Sequence, residues 1–340
     1  MFKKIIYGII SFAFVLSFSQ IFVLGSYIGG QKMAVQASII AQNVLFNLLP
    51  YIYQNCFNSI IYYSGIYNNT DKIDIVIGNH INAIDISIYA SIIKQYDTRD
   101  IYVAYINGHI YVPGSGFIAS MSPNIKISRN FNNDKYTIIN TLKKIKKGII
   151  FIFPEGTRYN DLKQKQSQQF SKDNNLHVFK NILYPKMKGL WLIISCLNEV
   201  NKLGNVIDIT VLLTNYRNKE CRNYKLLTTE LGNTFAIISS YTIMKNNFND
   251  YNLFKLWFLD IWIKKDNILD KIQTKDDINI YKTINADIPM SSYILLILVT
   301  SIFIYLMSKS KGLFLPISLI ITYLITMIII FYDRIKNQHK

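Results

Sequence analysis

Short apolar runs alternate with helical patterns through the middle of the chain. Strand-like runs fall at Ile73 to Ile77, Ile101 to Ile106, Ile125 to Ser128, Ile149 to Phe153 and Val206 to Thr214. Between them, helical patterns are centred on 84 to 96, 134 to 147 and 165 to 182. Such alternation predicts an α/β domain with a mostly parallel sheet flanked by helices. Gly148 to Phe153 is continuously apolar with β-branched and aromatic residues, as a strand buried on both faces would be.

The two ends follow a different pattern. Ile5 to Gly30 contains no charge and is long enough to cross a bilayer. With Lys3 and Lys4 before it, the segment is read as a retained anchor rather than a cleaved signal peptide, whose apolar core is usually shorter. Ala34 to Tyr53 is a second uncharged stretch, interrupted by Gln36, Gln42 and Asn43, and is expected to be membrane-embedded together with the first. Tyr293 to Met307 and Leu313 to Tyr332, separated by Ser308 to Gly312, read as a C-terminal helical hairpin. The expected layout is membrane-anchoring helices in 1–65, an α/β domain in 66–285, and a transmembrane hairpin with a basic tail in 286–340.

Charge changes this picture little. The 340 residues carry 37 Lys and Arg against 21 Asp and Glu, a formal net charge of +16. Nucleic acid is one partner for such a chain, but four apolar segments and the lack of a nucleic-acid motif argue against it. Anionic membrane lipid and phosphorylated substrates account for it better, at roughly 1 kcal/mol per basic residue near an anionic surface. Cys56, Cys196 and Cys221 are widely spaced and outline neither a disulfide framework nor a metal site. His109, His177 and His339 have no evident carboxylate partner nearby and are read as turn or surface residues.

Two segments carry chemistry. Gly78-Asn79-His80-Ile81-Asn82-Ala83-Ile84-Asp85 holds a His-x4-Asp pair, and Phe153-Pro154-Glu155-Gly156-Thr157-Arg158 follows the most apolar strand. An imidazole with a pKa near 6.5 can take the proton of an alcohol, and a neighbouring carboxylate fixes its tautomer and stabilises the imidazolium. Positions five apart lie roughly 140° apart on a helix, so the two cannot share one helix face. They can meet if His80 sits in the turn after a strand and Asp85 in the first turn of the next helix. In the second segment Gly156 permits close backbone approach, Thr157 offers a hydroxyl, and Arg158 offers a planar fork suited to phosphate oxygens.

In this order and context the two segments resemble the signature of the glycerolipid acyltransferases. Tyr159-Asn160, Ser167 to Phe170, Leu176, Leu183 to Gly189 and Asp208 to Val211 are similar to the multi-spanning eukaryotic branch, which includes lysocardiolipin acyltransferase. The resemblance covers about residues 70 to 215. It implies a family-like α/β fold, His80 as general base, Asp85 as its partner, and a phosphate held by Glu155, Gly156, Thr157 and Arg158. Asn124 to Arg129 matches a further block in part, making Arg129 a second headgroup contact, and Leu183 to Gly189 resembles a Pro-containing block that shapes the lipid site. The implied reaction is acyl transfer from acyl-CoA, a co-substrate, to the sn-2 hydroxyl of lysophosphatidic acid, giving phosphatidic acid, with no cofactor and no metal. Another lysophospholipid acceptor, such as lysocardiolipin or lysophosphatidylinositol, and a catalytically silent lipid-binding membrane protein are the alternatives. The expected location is an integral membrane protein of the endoplasmic reticulum with the catalytic domain facing the cytosol.

Overall fold

A computed structural model describes residues 29–57, 60–81, 85–106, 115–128, 130–213, 234–241, 250–271 and 282–284. Nearly all of the predicted first anchor, both arms of the C-terminal hairpin, Arg129, His109 and His339 lie outside the described residues.

The strands are β1 (Ile61–Gly65), β2 (Ile73–Gly78), β3 (Ile101–Ile106), β4 (Ile125–Ile127), β5 (Gly148–Ile152), β6 (Leu203–Leu213), β7 (Thr234–Tyr241) and β8 (Lys282–Thr283). The helices are α1 (Gln31–Phe57), α2 (Asp85–Ile93), α3 (Ser115–Met121), α4 (Phe131–Lys144), α5 (Asp161–Asp173), α6 (Met187–Glu199) and α7 (Tyr251–Lys271). The eight strands form one sheet in the order β4-β3-β5-β2-β6-β7-β1-β8. β2 runs parallel to both β5 and β6, β3 is parallel to β5, and β1 is parallel to β7. The β6–β7 and β1–β8 pairs are antiparallel. The mostly parallel α/β reading therefore holds.

The chain divides into two compact units, one of Leu49–Tyr105 and Ile125–Ala286, the other of Met1–Leu48, Ile106–Asn124 and Asp287–Lys340. In the first unit every residue of β2 and of β5 is buried, as the apolar runs required. α6 and α7 pack on β6, and α4 packs on α6. Phe254, Phe258 and Trp262 on α7 are fully buried, with Phe258 stacked on Trp262 at 5.3 Å and the Trp262 indole donating to Leu183 O at 3.0 Å. At the N-terminal end of β2 a buried polar cluster fastens the strand. Arg99 reaches the Oδ2 atoms of Asp74 and Asp97, each at 2.5 Å, and donates to Lys72 O at 2.8 Å. Tyr67 donates to Asp97 at 3.0 Å, while Asp74 accepts from Thr70 and from the Asn205 amide.

In the second unit α1 buries Ala34, Ala37, Ser38, Ala41, Gln42, Leu45 and Phe46, a stripe of helical spacing. The interrupting Gln42 exchanges hydrogen bonds with Asn124, at 3.2 Å and 2.7 Å. Ser122 donates to Ser38 at 3.1 Å. α1 covers the predicted segment Ala34 to Tyr53, but among the described residues no helix is long and apolar enough to cross a membrane.

Several boundaries differ from the pattern-based expectation. α4 begins at Phe131 because the Asn130 side chain accepts from the Asn133 amide, and Asp134 turns inward to accept from Ser128. α5 stops at Asp173, where Asn175 adopts a left-handed φ of 51°, so Asn175 to Lys186 continues without α-helix instead of extending the helix to 182. Asp266 on α7 is buried and accepts from the Lys180 and Asn181 amides at 2.9 Å and 2.8 Å, which ties the stretch after α5 to that helix.

Candidate active site

Because β2 and β5 are parallel neighbours with Ile77 opposite Ile152, the loops that follow them emerge side by side at the C-terminal ends of the strands. Continuing that register past the strand ends sets His80 opposite Glu155. The contact follows: the His80 amide donates to Glu155 Oε1 at 3.2 Å. The chain leaves β2 toward β3 on one side, and leaves β5 to cross back to β6 on the other. Ligand sites of open α/β sheets collect at such a reversal.

The His80 ring is held from two directions. Its Nδ1 lies 2.8 Å from Asp85 Oδ2, and the same oxygen accepts from the Ile81 amide at 2.6 Å. Asp85 is the first residue of α2, so the turn and the helix start bring the pair together as its spacing required. The ring also stacks on Phe153, with centroids 4.4 Å apart, and the Tyr159 amide donates to His80 O at 2.7 Å. Asp85 is 1 % exposed and His80 23 % exposed, which shields the carboxylate while leaving the ring approachable. With Nδ1 directed to the Asp85 carboxyl group, Nε2 is the nitrogen left to accept a proton.

Behind this ring the strand end is tightly fixed. The Asn79 side chain pairs with the Val211 backbone in both directions, at 2.8 Å and 2.9 Å, extending the β2–β6 ladder by one side chain. Tyr89 donates to Asn79 O at 2.8 Å and lies against Gly78, where any Cβ would stand 2.2 Å from its hydroxyl. Only glycine fits there.

The second loop places its residues at different depths. Glu155 is buried, and burial pushes its carboxyl well above the ordinary range against the pull of the His80 amide and the Lys265 ammonium. Its Oε2 makes no ordinary hydrogen bond among the described residues. Gly156 has a φ of +66°, which favours glycine, and a Cβ there would stand 3.1 Å from Lys186 Cδ. Thr157 is half-buried and its Oγ1 accepts from Lys163 Nζ, while Arg158 is exposed. Lys186 donates its amide to Pro154 O at 2.7 Å, so the Leu183 to Gly189 block closes against this loop. Lys163 and Lys186 therefore flank Gly156 and Thr157, with Arg158 following in the chain. Neither lysine is marked as a ligand by the sequence; Lys186 lies in the Pro-containing block Leu183 to Gly189, but Lys163 carries no signal of its own.

A half-exposed, carboxylate-held imidazole beside a loop flanked by cations can deprotonate a hydroxyl on a molecule anchored by its phosphate. Residues 64–190, which contain both loops, match the family model described as Acyltransferase. This segment is of the glycerolipid acyltransferase family. The chain is 32 % identical over 104 residues to lysocardiolipin acyltransferase 1 of Gallus gallus, covering 29 % of this chain and 28 % of that one. It is 24 % identical over 170 residues to the probable 1-acyl-sn-glycerol-3-phosphate acyltransferase 5 of Arabidopsis thaliana, covering 48 % and 44 %. The crystal structure of the 1-acyl-sn-glycerophosphate (LPA) acyltransferase PlsC from Thermotoga maritima aligns over 76 % of this chain and 97 % of its own, at 17 % identity and a TM-score of 0.44. The chain thus spans less than half the length of the curated relatives it matches.

Proposed function

We propose that the protein is an acyl-CoA-dependent acyltransferase that acylates the sn-2 hydroxyl of lysophosphatidic acid to give phosphatidic acid. The observation that carries this reading is the 2.8 Å His80–Asp85 pair beside the Gly156–Thr157 loop and its flanking lysines. Nε2 of His80 takes the hydroxyl proton as the oxygen attacks the thioester carbonyl. The carbon–sulfur bond then breaks, and the thiolate of coenzyme A leaves and takes up a proton. Asp85 stabilises the imidazolium formed on the way. Gly156, Thr157 and Arg158 hold the acceptor phosphate, with Arg129 as a further contact, while buried Glu155 acts from beneath by holding the His80 backbone. Positioning the two substrates for direct attack supplies much of the acceleration. Acyl-CoA is a co-substrate, and the chemistry calls on no further cofactor or metal.

The proposal includes attachment to the endoplasmic reticulum membrane through segments in 1–65 and 286–340, around a catalytic domain in 66–285. Its support is the uncharged run Ile5 to Gly30 and the two apolar arms near the C-terminus. A second acceptor has specific support, because one similar protein is named for lysocardiolipin. A loop that grips phosphate does not read what the phosphate carries. A panel of lysophosphatidic acid, lysocardiolipin and lysophosphatidylinositol, offered with labelled acyl-CoA to the purified full chain, decides between them. Highest kcat/KM on lysophosphatidic acid supports the reading, and a preference for either of the others replaces it.

A further inference from the structure

Beneath the His80 loop lies a buried ion pair that acyl transfer does not itself use. Lys265 on α7 is fully buried, with its ammonium 2.7 Å from Asp208 Oδ1 on β6. It also donates to Ile209 O at 2.8 Å and to Thr210 Oγ1 at 3.2 Å. Burying two charges is seldom worthwhile for stability alone, since an apolar pair of similar volume does as well or better.

The place where Lys265 grips is informative. Ile209 is the register partner of Gly78, and Val211 is the residue that locks the Asn79 side chain. The Tyr89 hydroxyl, which donates to Asn79 O, stands 3.3 Å from the same Ile209 carbonyl that Lys265 binds. The segment 208–211 held by Lys265 is thus the segment on which the end of β2, and His80 just beyond it, is hung.

Charge points the same way. The groups that face the Lys265 ammonium are Asp208 from β6 and Glu155 from the loop after β5. Those that face Glu155 are Lys265 and Asp85, together with the amides of His80 and Leu183. Tyr89, from α2, faces Asp85, Asp208 and Glu155. Three carboxyl groups therefore gather around Tyr89 and Lys265, and Lys265 is the one basic side chain among the groups named; burial pulls its ammonium down from the usual lysine range, while Asp208 and Glu155 favour the charged form.

We propose that Lys265, held by Asp208, is a positioning residue for the base: it fastens the strand end that carries His80 and supplies the counter-charge for Glu155. The inference rests on the reading of His80 as general base. Glu155 then receives the His80 amide while the Lys265 charge opposes the upward push of burial on its carboxyl, and the loop that carries the imidazole stays fixed on its phosphate-binding neighbour.

The test is the pH dependence of kcat/KM for lysophosphatidic acid with acyl-CoA, on the purified full chain and its Lys265→Met, Lys265→Arg, Lys265→Met/Asp208→Asn and His80→Ala variants. Removing the ammonium lets burial push Glu155 further up and favours protonation around His80, so the acidic limb moves to higher pH. The move is about half a unit to one unit in Lys265→Met, less than for a direct contact because Lys265 acts on Glu155 through space. The double variant leaves no unpaired buried charge and so separates folding from catalysis. Its limb moves in the same direction by less, since Asp208 faces Glu155 less directly than Lys265 does. Lys265→Arg keeps the limb at the wild-type pH even where its rate falls. A double variant with the wild-type limb and wild-type kcat, alongside an inactive His80→Ala, overturns the inference and leaves the proposed function standing. An active His80→Ala overturns the proposed function itself.

Discussion

Replacing Asp85 by Asn isolates what the carboxylate charge contributes to the base. Oδ2 of Asp85 accepts from both His80 Nδ1 at 2.8 Å and the Ile81 amide at 2.6 Å. Because two donors converge on one oxygen, an asparagine that sets its own oxygen there keeps both bonds and the tautomer. What is lost is the charge-assisted part of the bond to the imidazolium. Hydrogen bonds to charged groups contribute about 1.5–3 kcal/mol and neutral ones about 0.5–1.5, a difference of about 1–2 kcal/mol. That corresponds to about a 5- to 30-fold fall in kcat. Acceptor and acyl-CoA KM values stay close to wild type, since Asp85 is buried behind the His80 ring. The assay is initial-rate transfer of labelled acyl chain at saturating concentrations of both substrates. A kcat within twofold of wild type refutes the argument, because the carboxylate charge would then be unused. A fall as deep as that of His80→Ala refutes it differently, by showing that the amide turns round and the tautomer is lost.

Two further outcomes follow from other parts of the molecule. Arg158→Lys raises the acceptor KM more than the acyl-CoA KM, because an ammonium cannot reproduce the planar fork; an effect confined to acyl-CoA reassigns the loop to the donor. Arg99→Ala leaves Asp74 and Asp97 buried without their guanidinium and costs about 3–5 kcal/mol in denaturant unfolding, with KM unchanged in whatever remains folded. In the wild type, burial raises the Asp97 carboxyl, but hydrogen bonds from Arg99 and Tyr67 and the Arg99 charge outweigh it and bring it below the ordinary range. A folded-state value below the unfolded one gives stability that is present above the unfolded carboxylate pKa, about 3.9, and lost as pH falls through the folded value. Melting temperature in the wild type therefore drops below about pH 4, and Arg99→Ala flattens that part of the curve.

The strands that deliver the site were legible in the sequence because burial on both faces leaves continuous apolar runs; β2, β3 and β5 fall within a residue of their expected positions. The pairing of His80 with Asp85 was also legible, since their spacing excludes a shared helix face and forces a strand–turn–helix corner. β7 was missed although its residues alternate buried and half-buried, as a strand with one covered face does. Its period of two was short and lay apart from the motifs. α6 was missed because Pro185 and Lys186 obscure its start, and Lys186 offers no side-chain cap. The roles of Lys163, Lys186 and Lys265 could not be read from spacing. Each acts on a loop or strand distant in sequence or on another element, and a lysine's charge looks the same whether it is solvated or fully buried.

The central claim is that His80 is the base for acyl transfer to a phosphate-bearing acceptor. Its most direct measurement is single-turnover transfer from labelled acyl-CoA to lysophosphatidic acid by purified wild type and His80→Ala at matched concentration of folded protein. The account predicts labelled phosphatidic acid from the wild type and a rate about 10²–10⁴-fold lower from the variant, with acyl-CoA binding retained. Equal rates, or no transfer by the wild type to any lysophospholipid, would contradict it.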